Sequence, residues 1–189
     1  MNFLEEKILK DGVVREGNVL RVDKFLNHQM DVALLTRLAE EIYNHFKNCE
    51  VNKILTVEAS GIGLACLTAQ FFNCKLLVAK KNKSSNISDN FYSAKAYSYT
   101  HKTENNIIVS KEYLSCDDKV LIVDDFLANG CACLSLIDIV NQAGGKVMGI
   151  SSAVEKTYQG GYEKLTALGY DVYSLARISE MKDGEITFI

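Results

Sequence analysis

Proline and tryptophan are both missing from the 189 residues, absences that by themselves exclude no class. Other absences exclude more. Six cysteines stand at 49, 66, 74, 116, 131 and 133, with no Cys-x-x-Cys pair and no histidine at zinc-finger spacing, so no zinc module is encoded. No apolar stretch approaches a membrane span, and the opening MNFLEEKILKDG carries no signal-peptide run. With no oxidising compartment indicated, the cysteines read as reduced packing residues of a cytoplasmic protein, ahead of a disulfide framework. The net charge of −3 includes no long basic block, which argues against nucleic-acid binding but allows a local basic pocket. Repeats, low-complexity tracts and linkers are also lacking. Apolar residues at 48% and charged ones at 24% then predict a soluble globular protein, one domain over residues 1–189.

What is present is organised around Val120–Ala132, V-L-I-V-D-D-F-L-A-N-G-C-A. The four leading apolar residues predict a strand buried on both faces. Asp124 and Asp125 follow where that strand should emerge, then a short loop with Gly130, then an apolar helix over Cys131–Val140. A strand, a small loop and a helix N-terminus offer backbone N–H groups and a positive dipole end to a phosphate. The acids stand beside that place and suit the hydroxyls of a sugar.

The same logic recurs upstream. Lys53–Val57 predicts a strand, Glu58-Ala59-Ser60-Gly61 a loop whose small residues let an anion reach the backbone, and Leu64–Phe72 a helix. It is not a dinucleotide fingerprint, because the third glycine is missing and the next strand ends without an acid. That strand, Lys75–Ala79, ends in Lys80-Lys81-Asn82-Lys83, at the strand end where an open α/β sheet places ligands.

Elsewhere, residues 1–30 are the least regular part, with a short hairpin or bend about Glu16-Gly17-Asn18. Asp31 opens an amphipathic helix with Leu35, Leu38, Ile42 and Phe46 on one face. Residues 82–119 break the rhythm. Phe91–Tyr99 and Ile107–Tyr113 predict strands joined by a polar connection at 101–106, an extruded hairpin that could close over a site or serve a dimer contact. After the helix, Val147–Val154 predicts a buried strand ending in Glu155-Lys156, followed by a helical stretch near Tyr162–Leu168 and a last strand at Val172–Ile178. Strands alternating with helices predict an α/β, doubly wound, mostly parallel sheet.

The stretch Val120–Ala132 resembles the signature of the type I phosphoribosyltransferases, and its Ala-Asn-Gly loop is similar to that of the bacterial branch acting on xanthine. Matching stretches run the length of the chain, near Leu20–Asn27, Glu58–Gly61, Glu155–Lys156 and Leu175–Ile178. The resemblance implies a hood, mainly residues 1–50 with C-terminal contributions, a core over about 51–178 and a flap over about 82–115. It implies transfer of phosphoribose from 5-phospho-α-D-ribose 1-diphosphate (PRPP) to a purine, with Mg²⁺ carried by the diphosphate and no metal site of the protein's own. Asp124 and Asp125 would hold the ribose hydroxyls and be catalytic. Ala128, Asn129, Gly130, Cys131 and Ala132 would wrap the 5′-phosphate. Glu58, Ala59, Ser60, Gly61, Lys80 and Lys81 would face the pyrophosphate. Leu20, Asn27 and Lys156 would contact xanthine, and a homodimer is expected.

Two departures from the family pattern shape the expectation. Asn129 stands where a Thr or Ser is usual, which removes a hydroxyl donor. Ala128 stands where hypoxanthine–guanine enzymes carry an Asp, which removes the obvious general base and favours a purine acidic enough to arrive deprotonated. Other readings stay open: a transferase for another purine, or a PRPP-binding regulatory module without catalysis. The module usually carries a DNA-binding domain, and no basic recognition helix precedes the first core strand. A doubly wound phosphatase explains Asp-Asp alone, and a nuclease lacks its acidic cluster.

Overall fold

The computed structural model describes residues 1–15, 17, 19–81, 90–98, 103–182 and 184–189. In chain order these form α1 (Phe3–Asp11), β1 (Val13–Arg15), β2 (Val19–Arg21), α2 (Val32–Phe46), β3 (Lys53–Val57), α3 (Ile62–Phe71) and β4 (Lys75–Ala79). There follow β5 (Phe91–Ser98), β6 (Thr103–Ser110), β7 (Lys119–Leu127), α4 (Cys131–Gln142), β8 (Lys146–Lys156), α5 (Gly161–Ala167), β9 (Val172–Lys182) and β10 (Glu185–Phe188). A π-helical turn at Asp23–Asn27 and a 3₁₀ turn at Thr157–Gln159 complete them.

The central sheet runs β10-β9-β8-β7-β3-β4, parallel throughout except for β10 on the outer edge of β9. Residues of β7 alternate between its two faces, as the pleat requires. Leu121 and Val123 join a core with α1, α2 and α3, while Val120 and Ile122 join a second core with α4, Leu165 of α5 and the β5–β6 hairpin. Both faces are therefore covered, and the apolar run of β7 has no polar side to show. Every C-terminal end of β3, β4, β7 and β8 falls on one rim.

Several boundaries differ from expectation. β7 continues through the acidic pair to Leu127, because Asp124 pairs with Ser152 and Leu127 with Glu155 across β8. The second hairpin strand is Thr103–Ser110 rather than Ile107–Tyr113. Its polar residues Asn105 and Asn106 sit in register with Ala96 and Lys95 instead of forming the connection. The polar stretch before the hairpin, Asn90 apart, lies outside the described residues, as do Lys83, Glu16 and Asn18.

The N-terminal segment is more regular than read. Asn2 and Glu5 form a reciprocal capping box at the start of α1, and the Asn2 Nδ2 donates to the Leu175 carbonyl at 2.6 Å, tying the helix to β9. Asp31 caps α2 as expected, accepting from the Leu34 N–H at 3.1 Å. Among the described residues, no helix is long and apolar enough to cross a membrane.

Candidate active site

The rim gathers residues far apart in sequence. β3 delivers Glu58–Gly61, β4 delivers Lys80 and Lys81, β7 delivers Asp124 through the loop to α4, and β8 delivers Lys156. The N-terminal turn brings Asn27 to the same place. Phe25 and Leu26, at 1% and 2% exposure, anchor that turn in the core, and the Asn27 Nδ2 donates to the Asp125 Oδ2 at 2.9 Å. Leu20 is buried in the same core rather than standing in the open.

Asp124 and Asp125 are not equivalent. Asp125 accepts Asn27 on one oxygen and the Ser60 hydroxyl, at 3.0 Å, on the other. Asp124 instead accepts the Asp125 backbone N–H at 2.9 Å. Burial pushes the Asp124 carboxyl well above the usual carboxylate range, and the neighbouring Asp125 charge adds to the rise. A Cβ added at Gly61 would lie 2.7 Å from both the Asp124 Oδ1 and the Thr56 Oγ1, so the loop backbone passes close to the acid only because residue 61 has no side chain. Burial likewise pushes the nearby Cys133 thiol up, which leaves it an inert core residue.

At the adjoining strand ends, Glu58 accepts the Lys81 backbone N–H at 2.7 Å and faces the Lys80 ammonium at 3.3 Å. The Lys81 N–H, helped by Lys80, holds the Glu58 carboxyl below its ordinary value. Lys80 also exchanges both backbone hydrogen bonds with Ile108 of β6, at 3.0 and 2.8 Å. The hairpin is thereby fastened to the cationic corner.

The loop after β7 is braced from α5. The Gly161 N–H donates to the Ala128 carbonyl at 3.0 Å, and the Lys164 ammonium reaches the Asn129 carbonyl at 3.1 Å. Gly130 takes a left-handed φ of +81° at the start of α4, which favours glycine there. The Asn129 Oδ1 accepts the Cys131 N–H at 3.0 Å, occupying a donor that an anion at this helix N-terminus would seek.

Lys156 is half-buried, and burial lowers its basicity. Its ammonium stands 5.9 Å from the centre of the Phe126 ring. Next to it, Glu155 is wholly buried and accepts two bonds from Arg177, at 3.0 and 3.3 Å. The Arg177 guanidinium lies 4.5 Å over Tyr162 of α5. Phe126, Gly161, Lys164 and the Glu155–Arg177 pair were not singled out from sequence. Phe126 lay in plain view beside the acids, whereas Arg177 meets Glu155 only through the β8–β9 register.

An acidic pair, a glycine-led helix N-terminus, a cationic corner and a half-buried lysine on one rim can together hold a phosphorylated sugar with a second charged group. Comparison with known proteins agrees. The family model described as "Phosphoribosyl transferase domain" matches residues 21–167. This chain belongs to the phosphoribosyltransferase family. Among its phosphoribosyltransferase relatives is the Clostridium botulinum "Xanthine phosphoribosyltransferase 2", 46% identical over 189 residues and covering all of both chains. The Bifidobacterium longum "Xanthine phosphoribosyltransferase" is 50% identical over 191 residues, covering 100% of this chain and 99% of that one. The fold is shared with the adenine phosphoribosyltransferase of Trypanosoma brucei, at a TM-score of 0.77, 15% identity and coverage of 93% and 79%. That of Giardia lamblia gives a TM-score of 0.74 at 22% identity, covering 89% and 90%.

Proposed function

We propose that this phosphoribosyltransferase serves purine salvage in the cytoplasm, joining xanthine to the phosphoribosyl group of PRPP to give xanthosine 5′-monophosphate and pyrophosphate. The observation that carries the reading is the pairing of Lys156 with Ala128 on one rim. Burial leaves the Lys156 ammonium poorly solvated, so an anionic oxopurine is a better partner for it than adenine, whose exocyclic amine donates. Ala128 offers no carboxylate to take a proton, and xanthine is the purine that parts with one most readily. The full-length likeness to relatives named for xanthine supports the same choice.

In this reading the whole chain acts as one domain, with a hood mainly from residues 1–50, a core about 51–178 and a flap about 82–115. Asp124 and Asp125 hold the ribose hydroxyls and stabilise the oxocarbenium-like centre electrostatically. Ala128–Ala132 take the 5′-phosphate on backbone N–H groups, which requires the Asn129 side chain to release Cys131. The pyrophosphate draws Lys80 from Glu58 and lies against Glu58–Gly61 and Lys81. Xanthine sits between Lys156, Leu20 and Asn27, with Phe126 as a further face.

Magnesium enters on the diphosphate. Asp124 and Asp125, adjacent carboxylates on the same rim, would face it there together with the substrate's own oxygens. When bound, the ion offsets the charge of the leaving group. A homodimer completes the proposal, and light scattering of the active protein that gives a strict monomer would remove that part.

The decisive experiment is pyrophosphate release from PRPP with xanthine, guanine, hypoxanthine and adenine side by side, with and without Mg²⁺. The expected order of kcat/KM is xanthine, guanine, hypoxanthine, with adenine negligible and nothing without Mg²⁺. Adenine turnover equal to that of xanthine overturns the substrate, and PRPP binding without turnover on any base favours the regulatory module.

A further inference from the structure

We infer that Asn27 is a positioning residue that couples occupancy of the base site to the sugar carboxylate Asp125, with Ser60 steadying the same carboxylate from the diphosphate side. The inference rests on the proposed reaction and goes beyond it. Asp125 is 6% exposed, and its two oxygens are taken by side chains 98 and 65 residues away in sequence. One donor comes from the N-terminal turn and the other from the loop after β3. Three segments therefore meet on a single carboxylate, and none of them is a sequence neighbour of another.

The carboxylate also fixes the orientation of Asn27. A carboxylate only accepts, so the Nδ2 end of the carboxamide must face Asp125 and the Oδ1 end must point away from it. Phe25 and Leu26 hold the backbone of its turn in the core, so the amide leaves Asp125 only through a change of its own rotamer. What it offers a base is thus chiefly an acceptor. An oxopurine, whose ring nitrogens carry protons, can donate to that oxygen. Such a bond polarises the amide and strengthens its N–H bond to Asp125, since bonds in a chain reinforce one another. Adenine's ring nitrogens N1 and N3 only accept, so a six-membered ring edge turned to Asn27 gives this reinforcement in an oxopurine and not in adenine, whose donors are the exocyclic amine and the imidazole N–H. Ser60 lacks this second partner and acts on Asp125 alone.

The consequence is thermodynamic coupling: base and sugar diphosphate should each tighten the other's binding, by the same factor. The test is calorimetric titration of PRPP and Mg²⁺ into the full chain, with and without saturating 9-deazaxanthine. This base is unreactive because carbon replaces the nitrogen that would be glycosylated. Wild-type protein should bind PRPP at least about five-fold tighter with the analogue present, the lower end of typical coupling. Asn27→Ala should bind both ligands with that ratio reduced to about one, and Asn27→Asp, which sets an acceptor against an acceptor, should lose it too. Ser60→Ala should weaken PRPP binding equally with and without the analogue, keeping the ratio, and Ser60→Thr should restore the affinity.

A wild-type ratio of one, or an unchanged ratio in both Asn27 variants, overturns the coupling while leaving the reaction standing. Failure of the wild-type protein to bind the analogue at all, with PRPP bound or not, overturns the proposed substrate and the coupling with it.

Discussion

Replacing Arg177 by methionine tests whether the support behind Lys156 is structural in the way its geometry implies. Glu155 is 0% exposed, and the Nε and Nη2 of Arg177 are its two side-chain partners, at 3.0 and 3.3 Å. Removing the arginine strands a carboxylate in the sheet; breaking a fully buried pair costs about 3–5 kcal/mol, and because the Arg177 side chain is 33% exposed the loss here falls at the low end, about 3 kcal/mol. For a chain of this size each kcal/mol moves Tm by about 2–4 °C, so the single variant should melt roughly 6–12 °C below wild type.

The double variant Glu155→Leu/Arg177→Met replaces the pair by apolar groups and should recover most of the loss, since such exchanges are often neutral. Thermal unfolding followed by circular dichroism reads both variants. Lys156 follows Glu155 directly, so the single variant should also raise KM for xanthine more than for PRPP. A single variant melting within ~1 °C of wild type would refute the claim that Arg177 supports the buried Glu155 carboxylate.

Three further outcomes are expected. Asp124→Asn should lower kcat by about 10²–10³, the usual cost of one preorganised electrostatic contact. Because the folded-state Asp124 carboxyl lies above its unfolded value, the native chain binds the extra proton and Asp124 costs stability as pH rises. The variant should therefore melt higher than wild type at pH 8 and converge with it towards pH 4, as thermal scans will show. Lys156→Ala should raise KM for xanthine at least about tenfold, the loss of a charged hydrogen bond being worth about 1.5–3 kcal/mol, with steady-state kinetics as the check. Gly161→Ala would press a methyl group on the Ala128 carbonyl and to 2.9 Å from the Gly130 nitrogen. It should cost about 1–3 kcal/mol and weaken PRPP binding in calorimetry.

The parts of the fold that local sequence dictates were legible. The apolar run Val120–Val123 announced a strand buried on both faces, and Asp31 announced the start of α2, where it caps the Leu34 N–H. The strand's true end was not legible, because a polar pair that continues in register with Ser152 looks like an exit. Polarity misled again at Asn105 and Asn106, which pair across a hairpin instead of looping. The Asn2–Glu5 capping box is a local signal, an Asn three residues before a Glu, while the turn at Asp23–Asn27 has too few residues to show a period. At the site, the acidic pair, the loop and the lysines were readable as residue types suited to anions. Which of them touch was not. The bonds from Asn27 and Ser60 to Asp125, and from Arg177 to Glu155, span from 22 to 98 residues, and only the sheet's register and the N-terminal turn bring them together.

The double hydrogen bond between Lys80 and Ile108 gives the hairpin a fulcrum. From Ile108 to Thr103 the strand extends about 17 Å at ~3.4 Å per residue, so a rotation of about 10° at the fulcrum carries Thr103 through roughly 3 Å. The short arm of this lever is the Lys80 backbone, whose side chain faces Glu58. A small shift of that lysine towards a different anion would be geared up along the strand as far as the bonds from Ser135 and Gln142 of α4 to the Lys95 and Ser93 carbonyls of the partner strand give way. The outer hairpin would then read out what the cationic corner holds, with no need for any contact of its own to the leaving group.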